Sequence, residues 1–425
     1  MLERLTKTHL LLAFCFLPFA ATSRSQSAID VGGIMTVNYI DGGEGKSPLR
    51  HNDGLPGFEL VGDLFLNVRV SEEASVFLEL ETVRGWNVQL YAGSLTYKIS
   101  GEKLKVEAGK FLAPFGNFLP RRFAPQNFLY GFPIYYDYRT GLAANEVPEN
   151  NQELLAARGT GRGDYGNTAS AHSLFNRMKA NFSPNSLASP ATGHTVNGSD
   201  GVKVIAKETY ISGVQFFGKY RQLGYNIGLA NGALSNPADL SVSKRPMIFG
   251  RLHVQPAIGL RLGVSAANGG YLNHKLVQSQ HPEIQPEKYS QGIAGLDMEY
   301  SRGYFVFFGE GAFSRWKSPL LREKLDALAL TVEARYKFSP RFFVSTRYGQ
   351  IKFSQIADAG DVDGDGQTME PWEFPIWRLE AALGYNLSRH ALIKAAWQIN
   401  RTDLHHPRNS DPADDLLAIQ MTVFY

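Results

Sequence analysis

Asp361-Val362-Asp363-Gly364-Asp365-Gly366 is the stretch whose residue types and spacing most suggest chemistry. Carboxylates at alternate positions, followed by a glycine that allows a sharp turn, form the first half of a calcium-binding loop. The second half departs from the EF-hand pattern. Its twelfth position is Trp372, and the nearest carboxylates are Glu370 and Glu373. The expected ligand set is therefore Asp361, Asp363, Asp365 and Glu370, with Ca2+ stiffening a loop and not driving catalysis. A plain acidic turn is the alternative.

The remaining reactive residue types offer little for an enzyme. No G-x-S-x-G nucleophile elbow occurs, His253 lacks a serine in fitting register, and His405-His406 sit in a polar stretch. Arg162-Gly163-Asp164 is a tripeptide common by chance. The one cysteine, Cys15, lies in the leader with Phe14 before it where a lipidation site wants a small residue, which argues against lipidation and leaves a mature chain expected to have no thiol. Forty-three basic and 40 acidic residues give a net charge of +3, without a basic block, which argues against nucleic acid as a partner.

The other charged candidates recur along an alternating chain. From Ile29 to Tyr425 the dominant period is two. In Trp377–Leu387, Trp377, Leu379, Ala381, Leu383, Tyr385 and Leu387 point one way, and Arg378, Glu380 and Asn386 the other. Mean hydropathy is only −0.21, because lipid-facing and lumen-facing residues cancel in such strands. The expected fold is all-β: a transmembrane antiparallel β-barrel of about sixteen strands, with about eighteen as the alternative. The strands are expected near 29–40, 58–71, 74–84, 89–100, 104–113, 209–221, 224–232, 246–255, 259–269, 291–301, 304–315, 326–338, 341–355, 377–388, 391–402 and 416–425. Tight turns such as Ser71-Glu72-Glu73, Gln255-Pro256-Ala257 and Ser388-Arg389-His390 alternate with long polar loops. That sorting fits short periplasmic turns and long external loops.

Both ends of the chain agree. Residues 1–27 read as a cleaved signal peptide, with Arg4 and Lys7 before the apolar run Leu10–Ala21, too short to span a bilayer. Residues 28–425 form the barrel domain. The last strand alternates through Leu417, Ile419, Met421, Val423 and Tyr425, similar to the C-terminal assembly signal of bacterial outer-membrane barrels. Tyr39, Trp86, Tyr97, Tyr220, Tyr225, Tyr300, Trp316, Tyr336, Tyr348, Trp377 and Trp397 lie near strand ends, as in interfacial aromatic girdles. The expected location is a Gram-negative outer membrane, with lipopolysaccharide and the barrel assembly machinery as partners.

With the apolar face toward lipid, Arg251, Arg335, Arg347, Arg378 and Lys394 point into the lumen, balanced by acids such as Glu79, Glu310, Glu333 and Glu380. These charges are expected to pair across strands or to cluster along a pore wall. Residues 117–207 make a third loop too long for a plain connection. It opens with Arg121-Arg122 and the aromatic run Phe128–Tyr138, followed by Arg139. Folded into the lumen it would constrict a pore, with Arg121, Arg122 and Arg139 favouring anions. The alternatives are a surface cap and an extra hairpin.

Val106–Gly116 (VEAGKFLAPFG) and Gly213–Gly232 (GVQFFGKYRQLGYNIGLANG) resemble segments of the phosphate- and polyphosphate-selective porins and their porin-like relatives. The resemblance implies a sixteen-stranded channel, commonly a homotrimer, whose third loop enters the lumen. Phosphate selectivity is not implied, since a dense lumen ladder of arginine and lysine is missing. The expected function is passive diffusion of small hydrophilic solutes and ions, with a weak anion preference. The competing readings are a surface-binding or structural barrel with an occluded lumen, and an enzyme, which the residues disfavour.

Overall fold

The computed structural model describes residues 29–42, 49, 56–83, 87–161, 200–207, 209–239, 243–403 and 414–425. The leader with Cys15, Trp86, Arg162-Gly163-Asp164 and His405-His406 lie outside the described residues.

Sixteen strands close into one antiparallel barrel. In chain order they are Ile29–Gly42, Gly57–Arg69, Ala74–Val83, Asn87–Ser100, Leu104–Leu112, Tyr210–Tyr220, Leu223–Ala230, Met247–Ala257, Leu260–Gly269, Gln291–Arg302, Phe305–Lys317, Lys324–Lys337, Phe342–Phe353, Ile376–Ser388, Ala391–Thr402 and Leu416–Phe424. Each pairs with its neighbours in sequence, and the first pairs with the last from Ile34↔Phe424 to Gly42↔Leu416. Tyr425 completes the closure by exchanging backbone hydrogen bonds with Gly33 at 2.9 and 3.2 Å. Closure leaves no sheet edge, which a strand in lipid requires because no water is there to satisfy its backbone.

The two faces of each strand follow the expected alternation. On the last strand, Leu417, Ile419, Met421 and Val423 are exposed outward, whereas Ala418, Gln420 and Thr422 are buried inward. On the fourteenth, Trp377, Leu379 and Leu383 face out and Arg378, Glu380 and Ala382 face in. The main apolar core therefore lies inside the barrel, where Phe118, Ile134, Tyr135 and Tyr136 of the third loop pack against the wall.

The sixteen strands agree with the sequence reading, and no further strands join the barrel among the described residues, because the short pairs Gly232–Ala233 with Asn236–Pro237 and Gln355–Ala357 with Met369–Pro371 are separate hairpins in loops. Two details differ. The turn expected at Gln255-Pro256-Ala257 falls at Ile258-Gly259 instead. The register shift between Val254 and Ala257 accommodates Pro256, which cannot donate to the ladder. Trp316 is no girdle residue. It shares the inward parity of Glu310 and Ser314, is fully buried, and donates its indole N–H to Ser235 Oγ at 3.3 Å.

Candidate pore constriction

The third loop leaves the fifth strand through the glycines of the Val106–Gly116 segment. Gly109 crosses the backbone of Gly93 so closely that a β-carbon would collide with its carbonyl oxygen. Gly116 takes a left-handed φ of 65°, and a β-carbon there would strike the Glu310 carboxylate. Glu310, on the eleventh strand, accepts the backbone N–H groups of Asn117 at 2.8 Å and Phe118 at 3.1 Å. It also accepts the hydroxyls of Tyr136 at 2.9 Å and of Tyr135. Burial first, and the nearby Glu310 charge second, push both phenols well above their usual pKa, so they remain donors. One buried carboxylate thus turns the chain into the lumen and fixes it there.

A row of donors on the wall holds the next segment. Lys394 Nζ donates to the carbonyl oxygens of Ala124, Asn127 and Leu129 at 3.0, 2.6 and 2.9 Å. Ser345 Oγ donates to Phe128 O at 2.7 Å, and Gln398 Nε2 to Tyr130 O at 3.0 Å. Arg347 reaches Tyr130 O and Gly131 O at 3.2 and 3.3 Å. Arg378 donates to Phe132 O at 3.1 Å and to Asp137 at 3.2 Å. A non-helical backbone inside a barrel must find such partners or leave its carbonyls unsatisfied.

The predicted basic residues all point inward or lie in the loop, but most are already paired. Arg347 is bidentate on its cross-strand partner Glu380 and also meets Glu333 at 3.4 Å. Arg121 pairs with Glu333 at 2.7 Å and lies over the Phe308 ring. Arg251 is bidentate on Asp297 at 2.6 and 2.8 Å. Arg335 lies over the Phe128 ring at 4.1 Å. Arg139 faces Asp200 at 3.9 Å within the loop. Arg347, Arg378 and Lys394 are therefore anchors of the loop and not an open basic ladder. His253 packs over the bare backbone of Gly224 beside this network.

Arg122 differs in position and not in pairing. It meets Glu79 at 3.0 Å, hydrogen-bonds Tyr210, and lines a cavity of about 500 Å³ between the loop and the wall of the first strands. Phe65, Glu79, Glu107, Phe123 and Gln126 also line it. The loop is anchored on the wall of the later strands, and this cavity lies between it and the first strands.

At its far end the loop is held by residues the sequence reading did not single out as anchors. Arg158 bridges Glu370 at 2.9 Å and Asp363 at 3.4 Å. Glu373 accepts Tyr138 Oη at 3.0 Å and the N–H groups of Gly141, Gly159 and Phe374 at 2.5 to 2.9 Å. Glu370 is therefore the base of an ion pair, and the cluster of carboxylates close enough to share a cation is Asp361, Asp363 and Asp365 alone among the described residues. No local pattern could have revealed Arg158 or Glu310, because their partners lie about two hundred residues away in the chain.

No protein-family profile matches the sequence, and no curated protein does. Solved structures do match over nearly the whole chain. An anion-selective porin from Comamonas acidovorans is 10% identical, covering 93% of this chain and 98% of its own, with a TM-score of 0.53. The chain has the porin fold. The outer-membrane channel DcaP of Acinetobacter baumannii is 12% identical, over 95% and 100% of the two chains, with a TM-score of 0.53. OmpT of Vibrio cholerae, an outer-membrane protein described in a trimer form, is 9% identical, over 93% and 99%, with a TM-score of 0.53. At these identities the likeness concerns the porin fold and not the solute.

Proposed function

We propose that this protein is an outer-membrane porin through which small hydrophilic solutes and ions diffuse passively, along the crescent between the third loop and the first five strands. The observation that carries the reading is the docking of the loop to one side. Glu310, Arg347, Arg378 and Lys394 fix it against the later strands, and the cavity of about 500 Å³ lies on the opposite side. A narrow pore amplifies unbalanced charge, but here Arg122 faces Glu79, with Glu107 beside them. Discrimination between anions and cations is accordingly weak. All three loop arginines have acidic partners, Arg121 with Glu333, Arg122 with Glu79 and Arg139 with Asp200, and any anion preference would rest on Arg122 because it is the one that lines the cavity.

The wider assignment follows from the same reading. Residues 1–27 are the export signal, the outward apolar faces meet outer-membrane lipid and lipopolysaccharide, the barrel assembly machinery inserts the chain, and the protein works as a homotrimer and not as an enzyme. Liposome swelling with a graded series of sugars tests the channel. Fast swelling with small sugars, falling off as size increases, is expected. The absence of swelling with a correctly folded barrel would favour the second reading, a surface-binding barrel occluded by the loop, for which the fully satisfied docking of Lys394 and Glu310 speaks.

A further inference from the structure

The acidic turn after the thirteenth strand sits against the third loop, and Arg158 joins the two. Asp361, Asp363 and Asp365 place carboxylate oxygens within 4.8 Å of one another. The turn is exposed on one side, but Asp363 is not. Its side chain is only 10% exposed, its Oδ2 meets Arg158 at 3.4 Å, and its buried Oδ1 has no partner. Below it, Glu370 is fully buried, gives one oxygen to Arg158 at 2.9 Å, and leaves Oε1 without a partner. Arg158 thus neutralises Asp363 and Glu370, while Asp361 and Asp365 crowd Asp363 from the other side. A buried carboxylate oxygen without a donor is costly, and a hard cation held among the three aspartates is a ligand that would satisfy Asp363 Oδ1.

We propose that Asp361, Asp363 and Asp365 bind one divalent cation, with Ca2+ the best fit, and that the ion locks this external turn onto the pore loop through Asp363 and Arg158. Ca2+ suits the site better than Mg2+ because it accepts irregular oxygen geometry and completes its shell with backbone oxygens and water. Gln367 donates to both Asp365 oxygens at 2.7 Å, which orients that carboxylate while leaving lone pairs on it. Trp372 occupies the position where an EF-hand supplies its bidentate carboxylate. Affinity is consequently that of extracellular calcium modules, with Kd of about 10⁻⁴ to 10⁻³ M. The proposal does not depend on conduction through the barrel.

The test is calorimetric titration of the refolded, chelator-stripped protein with CaCl2 and with MgCl2, in detergent free of lipopolysaccharide. One saturable site for Ca2+ and a weaker response to Mg2+ are expected. The double substitution Asp361→Asn, Asp365→Asn should weaken Ca2+ binding at least tenfold while the barrel keeps its heat-modifiable mobility. Protease digestion of the unaltered protein gives a second readout: Ca2+ should slow cleavage in both the acidic turn and the third loop. No saturable heat, or the same heat in the substituted protein, overturns the proposal.

Discussion

Lys394 Nζ lies 2.6 Å from the carbonyl oxygen of Asn127, joining the fifteenth barrel strand to a loop residue 267 positions earlier. Two more loop carbonyls complete its shell, and the ammonium is almost fully buried. A charged donor among backbone oxygens is worth about 1.5–3 kcal/mol per bond, most of which appears when the partner is removed. Lys394→Met fills the volume but strands the carbonyls. The expected loss in loop docking is about 3 kcal/mol. Protease nicking within residues 117–161 of the refolded barrel should accelerate greatly while the barrel itself stays heat-modifiable. Unchanged nicking would remove Lys394 from the docking account.

Gly116 makes a comparable case for the turn into the lumen. Its φ of 65° and the Glu310 carboxylate beside it leave no room for a methyl group. Gly116→Ala should weaken loop docking by about 1–3 kcal/mol. Gly101 also has a positive φ, 53°, but open space around it, so Gly101→Ala in a short turn should cost about 1 kcal/mol and leave the loop protected. Comparing protease protection of the two variants separates backbone strain from collision with Glu310. Equal protection would contradict the role given to Glu310.

Glu373, in the external loop before the fourteenth strand, titrates with loop docking. Burial raises its pKa above the ordinary 4.5, against the pull of the Phe374, Gly159 and Gly141 N–H groups and Tyr138. A raised acid favours the folded state most when protonated. Its contribution is complete below the unfolded pKa and is lost as pH rises through the folded one. Protection of the outer part of the loop should therefore increase as pH falls toward 4.5, and Glu373→Gln should flatten that dependence. A steeper dependence in the variant would contradict the assignment.

Much of this architecture is legible in the sequence for a plain physical reason. In lipid the side-chain period is two and every strand must pair, so the alternation of Trp377–Leu387 and the terminal Leu417–Tyr425 pattern locates strands and faces together. Trp316 shows the limit. Its place near a strand end suggests a girdle, whereas its parity with Glu310 puts it inside. The site was less legible. Arg347, Arg378 and Lys394 are inward as expected, but whether an inward cation lines water or holds a loop depends on where a distant segment docks. The spacing of Asp361, Asp363 and Asp365 marks their cluster, while Glu370 belongs to Arg158, a partner more than two hundred residues away.

The most direct test of the central claim is single-channel recording of the refolded mature protein in a planar bilayer under a salt gradient, beside the Arg122→Ala variant. Diffusion along the crescent predicts stable conductance steps, a small reversal potential, and in the variant larger steps with the potential shifted toward cations. A folded, heat-modifiable barrel that gives no steps in either form would contradict the open crescent and leave a lumen sealed by its third loop.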